Sequence, residues 1–226
     1  MQVCEAEVRT PEENGTIRTA YDDAVAVRSE SSKRAVLQAT MELLDGGSPK
    51  GLSVKKLSIE AIAERAGVGK MTIYRWWRSK VAVIIDSFLE NHVAQTPIDT
   101  EGPAIDALRR HVASLARVYA GPEGRLVAQL IAECQYDPDA LDEFRERFWE
   151  DRGRAVRALI ERAVDEGSLR RDVDPEFIGE LIYAPIYFRL LSRSGPLDDA
   201  FAETVVATAL AGVAPYAVDS QTSKAS

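Results

Sequence analysis

The residues from 66 to 80, AGVGKMTIYRWWRSK, bring together side chains that could bind a phosphate backbone. Two lysines and two arginines lie within this short segment, beside two tryptophans, a tyrosine and a threonine. Lysine, arginine, threonine and tyrosine all donate hydrogen bonds to phosphate oxygens. The segment therefore predicts a binding surface for a polyanion.

The charge of the 226-residue chain is divided unevenly around this segment. The net charge is -8, yet residues 31–80 hold ten basic and four acidic side chains and carry +6. Residues 1–30 carry -4 and residues 81–226 carry -10. A basic stretch attached to an acidic body indicates a polyanionic partner for that stretch. Composition alone leaves open a chance run of solvated lysines.

Other residue types that could do chemistry lack the spacing that chemistry needs. GVGK followed by Thr72 resembles a phosphate-binding loop, but GxxxxGK(S/T) after a strand is missing. His92 and His111 have no ligand partners at short spacing, and Cys4 and Cys134 form no CxxC pair. A GxSxG nucleophile motif is also missing. We therefore expect no metal, no cofactor and no enzymatic activity.

The apolar runs and the start of the chain bear on the compartment. The longest runs, such as VAVII at 81–85, are far shorter than the roughly 20 residues that span a bilayer. The first 30 residues are acidic where a secretory leader would be basic and then apolar. The two widely spaced cysteines indicate a reducing environment. We expect a cytoplasmic protein without membrane contact.

The elements that position the basic segment are predicted to be helices. Apolar residues recur at helical spacing after Ser31 and Ser32, which could cap a first helix. Asp137 and Asp174 each precede a proline, which is typical of a helix start. An apolar stripe from Leu141 to Ala163 predicts one long helix of about 25 residues. Because no alternating apolar and polar run occurs, the sequence predicts an all-α fold of about nine helices.

Two short helices and a tight corner surround the basic segment. Ser58 can cap the helix IEAIAERA, and Gly67 can end it because glycine tolerates a positive φ. The next helix, KMTIYRWW, turns Ile73 and Trp77 inward. This spacing predicts a helix-turn-helix whose second helix enters the major groove.

These residues resemble the tetracycline-repressor (TetR) family of bacterial regulators. The family pattern is Gly-Val-Ser, then Thr-(Leu/Ile)-Tyr-x-x-(Phe/Trp), then x-Ser-Lys, and this sequence reads GVGKMTIYRWWRSKVAVI. The segment EGSLRRDVDPEFIGELIYAPIYFRLL resembles the linker and dimer-forming helix of a branch of that family. The resemblance implies a three-helix DNA-binding domain at 31–79 and a ligand-binding and dimerisation domain at 80–216. Disordered tails are expected at 1–30 and 217–226.

The resemblance also assigns the DNA contacts. It implies phosphate contacts for Thr72, Tyr74 and Trp76 and for a lysine at the start of the fourth helix, and base contacts for the first two residues of the recognition helix. Gly69 departs from the family serine, Met71 from a small residue, and Arg78 from a proline. The predicted DNA-binding residues are Ser58, Lys70, Met71, Thr72, Tyr74, Arg75, Trp76 and Lys80.

In the body of the chain, the resemblance implies a cavity for a small organic effector. Apolar walls with a few polar tips suit such a ligand. For any one of these residues, plain core packing stays the alternative. The predicted lining residues are Phe88, His92, Tyr119, Cys134, Phe144, Phe148, Trp149, Tyr183 and Tyr187.

The predicted function is sequence-specific regulation of transcription. The resemblance implies a homodimer on a near-palindromic stretch of double-stranded DNA, most simply a repressor that a small effector releases. The small residues Ala207, Ala211 and Gly212 would let the last helix pack closely in a dimer. One alternative is a small-molecule-binding protein or enzyme with a vestigial DNA module. Another is an architectural DNA binder without an effector.

Overall fold

A computed structural model describes residues 29–44 and 51–215, without the side chains of residues 91–94 and 151. Over these residues the chain is α-helical and contains no strand, which confirms the predicted all-α fold. The predicted tails lie outside the described residues, except that residues 29 and 30 belong to the first helix. The sequence predicted that this helix begins after Ser31 or Ser32, and the structure instead includes both serines in the helix.

Three short helices form the N-terminal unit: α1 (29–44), α2 (Ile59–Ala66) and α3 (Lys70–Trp76). The hydroxyl of Ser58 accepts a hydrogen bond from the amide of Ala61 at 3.2 Å and caps α2 as predicted. Gly67 ends α2 at φ 67°, in the left-handed region that glycine adopts without strain. Ile73 and Trp77 are fully buried, so the corner directs the opposite face of α3 outward.

Helix α4 (Lys80–Gln95) connects this unit to the rest of the protein. The hydroxyl of Ser79 accepts a hydrogen bond from the amide of Ala82 at 3.0 Å. Residues 81–85 are all buried and belong to a core that is continuous from α1 to the C-terminal helices. A displacement of α4 would therefore change the packing of both the N-terminal unit and the C-terminal helices.

Six further helices form the C-terminal body: α5 (Ala104–Ala120), α6 (Pro122–Cys134), α7 (Pro138–Phe144), α8 (Asp151–Asp165), α9 (Pro175–Ser192) and α10 (Asp199–Val213). Helix α5 lies centrally and packs against α6, α8 and α10, while α9 packs against α8 and α10. Asp137 and Asp174 cap α7 and α9, each followed by proline, as the sequence predicted. None of the described helices is long and apolar enough to cross a membrane.

A π-helical segment, Arg145–Glu150, lies between α7 and α8. The sequence predicted one uninterrupted helix here, because apolar residues alone do not distinguish a π turn from an α turn. Before the segment, the chain packs on α4 and α6; after it, the chain packs on α5 and α9. In place of the single predicted helix, the structure has two α-helices, α7 and α8, that pack against different helices.

The corner between α5 and α6 requires a glycine. A Cβ atom on Gly124 would lie 1.9 Å from the carbonyl oxygen of Tyr119, which is backbone and cannot rotate away. Any side chain at this position would push the two helices apart. Gly124 therefore fixes how closely α6 follows α5.

One face of α9 leaves large apolar side chains exposed. Phe177, Leu181, Phe188 and Leu191 lie at helical spacing along it, and Phe188 is 65% exposed. On α10 the small residues Ala207, Ala211 and Gly212 are exposed toward its C-terminal end, and the larger exposed residues Asp199 and Glu203 lie nearer its start. Adjacent exposed apolar residues of this size are typical of a protein interface.

Candidate nucleic-acid interface and cavity

The predicted DNA-binding residues of α3 lie on its outward face and differ in exposure. Met71 is 79% exposed and Tyr74 is 48% exposed, and Lys70 and Arg75 are also exposed. Thr72 is half-buried at the same end of the helix. Gly69 precedes the helix without a side-chain cap. The first turn of α3 thus presents a long cation and a flexible apolar side chain together.

The polar contacts of this face are weak enough to exchange for DNA contacts. The Nζ of Lys70 lies 3.0 Å from Oε1 of Glu60, and both side chains are exposed. This contact lowers the pKa of Glu60 through a hydrogen bond from Lys70. Exposed ion pairs contribute little, so Lys70 is available to a base or a phosphate. The Nη2 of Arg75 lies 3.5 Å from the hydroxyl of Ser29, a long contact.

Trp76 differs from its neighbours on α3. Its indole Nε1 is buried and has no hydrogen-bond partner among the described residues. Lys33 and Arg75 lie over its ring at 5.6 and 5.5 Å from the centroid, which is cation–π distance. The structure thus shows Trp76 as a half-buried platform under two cations, with its N–H directed away from solvent.

Lys80 contacts the protein itself. Its Nζ donates a hydrogen bond to the carbonyl oxygen of Val54 at 3.0 Å and lies 3.8 Å from Glu133 on α6. The amide of Val54 donates to Oε1 of Gln129, also on α6, at 3.0 Å. Both peptide groups of Val54 are therefore bound by side chains of the body. Lys80 and Gln129 hold the segment before α2 against α6.

A cavity of about 590 Å³ lies between α5, the π-helical segment, α8 and α9. This volume is within the range of small-molecule sites. Five of the predicted lining residues do line it: Tyr119, Phe148, Trp149, Tyr183 and Tyr187.

The other predicted lining residues lie elsewhere or outside the description. The ring of Phe144 stacks on that of Phe148 with 4.9 Å between centroids, and the ring centroid of Phe88 lies 5.8 Å from that of Phe148. Phe144 and Phe88 therefore pack against a lining residue without lining the cavity themselves. Cys134 is buried, and burial raises the pKa of its thiol to about 11, which leaves it unreactive. The side chain of His92 is not described.

A hydrogen-bond network forms the polar part of the cavity. Nδ1 of His111 lies 2.6 Å from the hydroxyl of Tyr183, and Nη2 of Arg152 lies 3.0 Å from Nε2 of His111. Arg152 also donates to the carbonyl and hydroxyl oxygens of Thr96 at 2.6 and 2.9 Å. The hydroxyls of Tyr119 and Tyr187 lie 3.1 Å apart. Burial raises the pKa of all three tyrosines, so their hydroxyls stay protonated.

The sequence did not indicate Arg152 as a cavity residue, and it showed of His111 only that it lacks metal-ligand partners at short spacing. Arg152 follows an acidic residue on a helix rich in paired arginines and glutamates, so nothing in its neighbourhood separates it from a solvated charge. The described residues contain no group of side chains that could hold a metal ion.

Two family models match the chain. One, described as bacterial regulatory proteins of the tetR family, covers residues 36–86, and one, described as the tetracyclin repressor-like C-terminal domain, covers residues 97–209. The second match alone spans half of the chain. The chain belongs to the TetR family. In this TetR-family protein, α2 and α3 are the helix-turn-helix.

Individual relatives and solved structures are also transcription regulators. The protein is 36% identical over 186 residues to YdeS of Bacillus subtilis (strain 168), an uncharacterised HTH-type transcriptional regulator, over 82% of this chain and 91% of that protein. It is 29% identical over 182 residues to the DNA-binding transcriptional repressor TetR of Mycobacteroides abscessus, over 78% and 90%. The structure of the TetR family transcription regulator SCO0332 matches with a TM-score of 0.70 and 29% identity, over 81% and 99%. This TetR-family protein is a DNA-binding regulator of transcription.

Proposed function

We propose that this regulator is a homodimeric repressor that leaves its operator when a small organic effector fills the cavity. The observation that carries the proposal is the arrangement of one exposed DNA-reading helix and one cavity on either side of α4. In this proposal residues 31–79 bind DNA and residues 80–216 bind the effector and the second subunit. The protein acts in the cytoplasm and catalyses no reaction.

The DNA contacts of the proposal follow the exposure of α3. Lys70 and Met71 face the bases, because a lysine can donate to guanine and an apolar side chain can pack against a thymine methyl group. Thr72, Tyr74 and Arg75 contact phosphates and set the register of the helix. Ser58, Trp76 and Lys80 support them by capping α2, by carrying two cations and by holding the segment before α2.

The exposed apolar face of α9 and the small residues of α10 supply the dimer interface. Two copies of these helices would form a four-helix bundle around a two-fold axis. The same axis would relate two recognition helices about 34 to 36 Å apart, which is one turn of DNA. The operator is therefore near-palindromic.

A chain of direct contacts joins the cavity to α3. Phe148 lines the cavity, and the adjacent Arg147 donates to both carboxylate oxygens of Asp86 on α4 at 3.0 and 3.1 Å. The indole N–H of Trp77, at the end of α3, donates to the same carboxylate at 2.8 Å. An effector that displaces the π-helical segment would therefore move α4 and α3 together. A difference in affinity of about 1 to 3 kcal/mol between the two states is enough to shift operator occupancy.

The test begins with selection of bound duplexes from a random pool by the full chain. Arg75→Gln should then weaken binding to the selected duplex in a fluorescence anisotropy titration. The matched control is Arg171→Gln, which removes the same charge from an exposed arginine of the body. Equal losses for the two variants would show that α3 is not the DNA surface.

The second half of the test concerns release. A metabolite extract from the source cells should reduce binding of the wild-type chain to the selected duplex. If no extract does so, the protein is an architectural DNA binder. If no duplex is enriched, while small molecules bind, the vestigial-module alternative holds.

A further inference from the structure

Arg152 is a partly buried cation whose recorded partners are all neutral. Among the residues that the structure describes, it donates to Thr96 and contacts His111, and no described carboxylate forms an ion pair with it. Burial lowers the pKa of Arg152, yet a guanidinium stays protonated at neutral pH. A cation that is withdrawn from water without an anionic partner is unfavourable. The cavity that Arg152 lines is the place where an anion could reach it.

The contact with Arg152 fixes the tautomer of His111. The two hydrogens of Nη2 face three atoms, which are the carbonyl and hydroxyl oxygens of Thr96 and Nε2 of His111. Because a guanidinium has no acceptor, Nε2 faces it with its lone pair. The ring is then neutral, and its hydrogen resides on Nδ1, which lies 2.6 Å from the hydroxyl of Tyr183. Nδ1 therefore donates to Tyr183.

This tautomer determines what Tyr183 can offer to a ligand. Because its oxygen already accepts from His111, its own hydrogen points elsewhere, and Tyr183 lines the cavity. The structure records no other acceptor for it within the described ranges 29–44 and 51–215. Arg152 and Tyr183 thus present a positive charge and a hydroxyl donor to the same space.

The remaining lining of the cavity has no comparable excess of charge. Leu115, Phe148, Val156 and Ile160 form apolar walls. At the exposed mouth, Arg157 pairs with two glutamates and Arg154 lies 3.9 Å from Glu150. Arg145 and Glu180 also line the mouth, but both are exposed to water, so among the described cationic lining residues Arg152 is the one that is partly buried without a recorded carboxylate partner.

We propose that the cavity binds a small organic acid, whose carboxylate pairs with Arg152 and accepts a hydrogen bond from Tyr183 while its apolar body contacts the walls. One guanidinium balances a single negative charge, which favours a carboxylate over a phosphate of nearly two charges. The proposal rests on the proposed function only in that this acid is the effector.

The experiment measures ligand binding to the full chain without DNA. Benzoate, 4-phenylbutyrate and decanoate are titrated by calorimetry, each beside its primary amide, with phenyl phosphate as a doubly charged probe. At least one acid should bind about tenfold or more tightly than its amide, because a charge-assisted contact is lost in the amide. The proposal is overturned if the amides bind equally well, if phenyl phosphate binds best, or if no acid binds.

Three variants locate the anion. Arg152→Gln should weaken binding of the acid by about tenfold or more while leaving the amide unchanged. Tyr183→Phe should weaken binding of the acid by about threefold to tenfold. This variant keeps the aromatic ring, so it tests the site even if Arg152→Gln does not fold. The matched control Arg154→Gln removes the same charge at the mouth and should change binding by less than about twofold. Equal effects of Arg152→Gln and Arg154→Gln would place the anion elsewhere.

A DNA arm separates this proposal from the proposed function. An acid that binds through Arg152 but does not release the selected duplex confirms the anion site and removes its role as effector. Release of the duplex by a neutral compound, with no binding of any acid, overturns the anion site and leaves the ligand-responsive regulator intact.

Discussion

Lys80 tests whether the first turn of α4 contacts DNA or holds the protein together. Replacement by methionine keeps most of the length of the side chain and removes the ammonium group. If that group contacted a phosphate, the slope of log affinity against log salt would fall by about 0.9 per protomer, or about 1.8 for a dimer. Between about 50 and 200 mM salt, this change amounts to about twelvefold in relative affinity.

The structure predicts a different result for Lys80→Met. The ammonium donates to the carbonyl oxygen of Val54 and is partly screened by water, since 24% of the side chain is exposed. Its loss should lower the free energy of unfolding by about 1 kcal/mol, which corresponds to a Tm decrease of about 2 to 4 °C. The salt slope should stay unchanged, while affinity falls equally for all sequences.

Two measurements decide between these results. Anisotropy titrations of a labelled operator duplex at four salt concentrations give the slope, and thermal unfolding followed by circular dichroism gives the Tm. Arg75→Met is the control, because it removes an exposed cation from α3 and should lower the slope by about 1.8 without changing the Tm. A Lys80→Met variant with the reduced slope and the wild-type Tm would refute the internal role of Lys80.

Three other substitutions have expected outcomes. Gly124→Ala should lower the free energy of unfolding by about 2 kcal/mol in chemical denaturation, because its Cβ meets backbone, whereas Gly153→Ala, with open space around its Cβ, should not. Burial raises the pKa of the Glu123 carboxyl, so the folded chain binds this proton more tightly than the unfolded chain does. Stability is therefore lost as the pH rises from the pKa of the unfolded carboxyl through the pKa of the folded one. Glu123→Gln should raise the Tm more at pH 8 than at pH 5. Phe188→Glu should convert the dimer to a monomer in analytical ultracentrifugation, and Tyr136→Glu, at a 90% exposed aromatic residue outside α9, should leave the dimer intact.

The helix-turn-helix could be predicted from sequence because local rules determine it. Gly67 adopts the positive φ that its place after IEAIAERA required, and Ile73 is buried at the spacing that the turn demands. Asp137 and Asp174 cap their helices because each precedes a proline. These features depend on residues within a few positions of each other.

The contacts of Lys80 and Arg152 could not be predicted because tertiary packing determines them. Lys80 meets Val54, 26 residues earlier, and Arg152 meets Thr96, 56 residues earlier. No spacing rule connects such positions. The family motif indicated that Lys80 lies on the DNA-binding surface. The packing of α6 against the segment before α2 instead gives Lys80 a partner within the protein, the carbonyl oxygen of Val54.

The π-helical segment determines which way α8 faces. One residue turns an α-helix by about 100°, and a π turn accommodates about one residue more than an α turn. Deleting Glu150, the last residue of the segment, would restore regular α geometry and rotate Arg152 by about 100° away from His111. The deletion lies after Arg147, so the contact of Arg147 with Asp86, which joins the segment to α4 and α3, would be kept. A one-residue deletion there should therefore produce a protein that still occupies its operator and no longer senses its ligand.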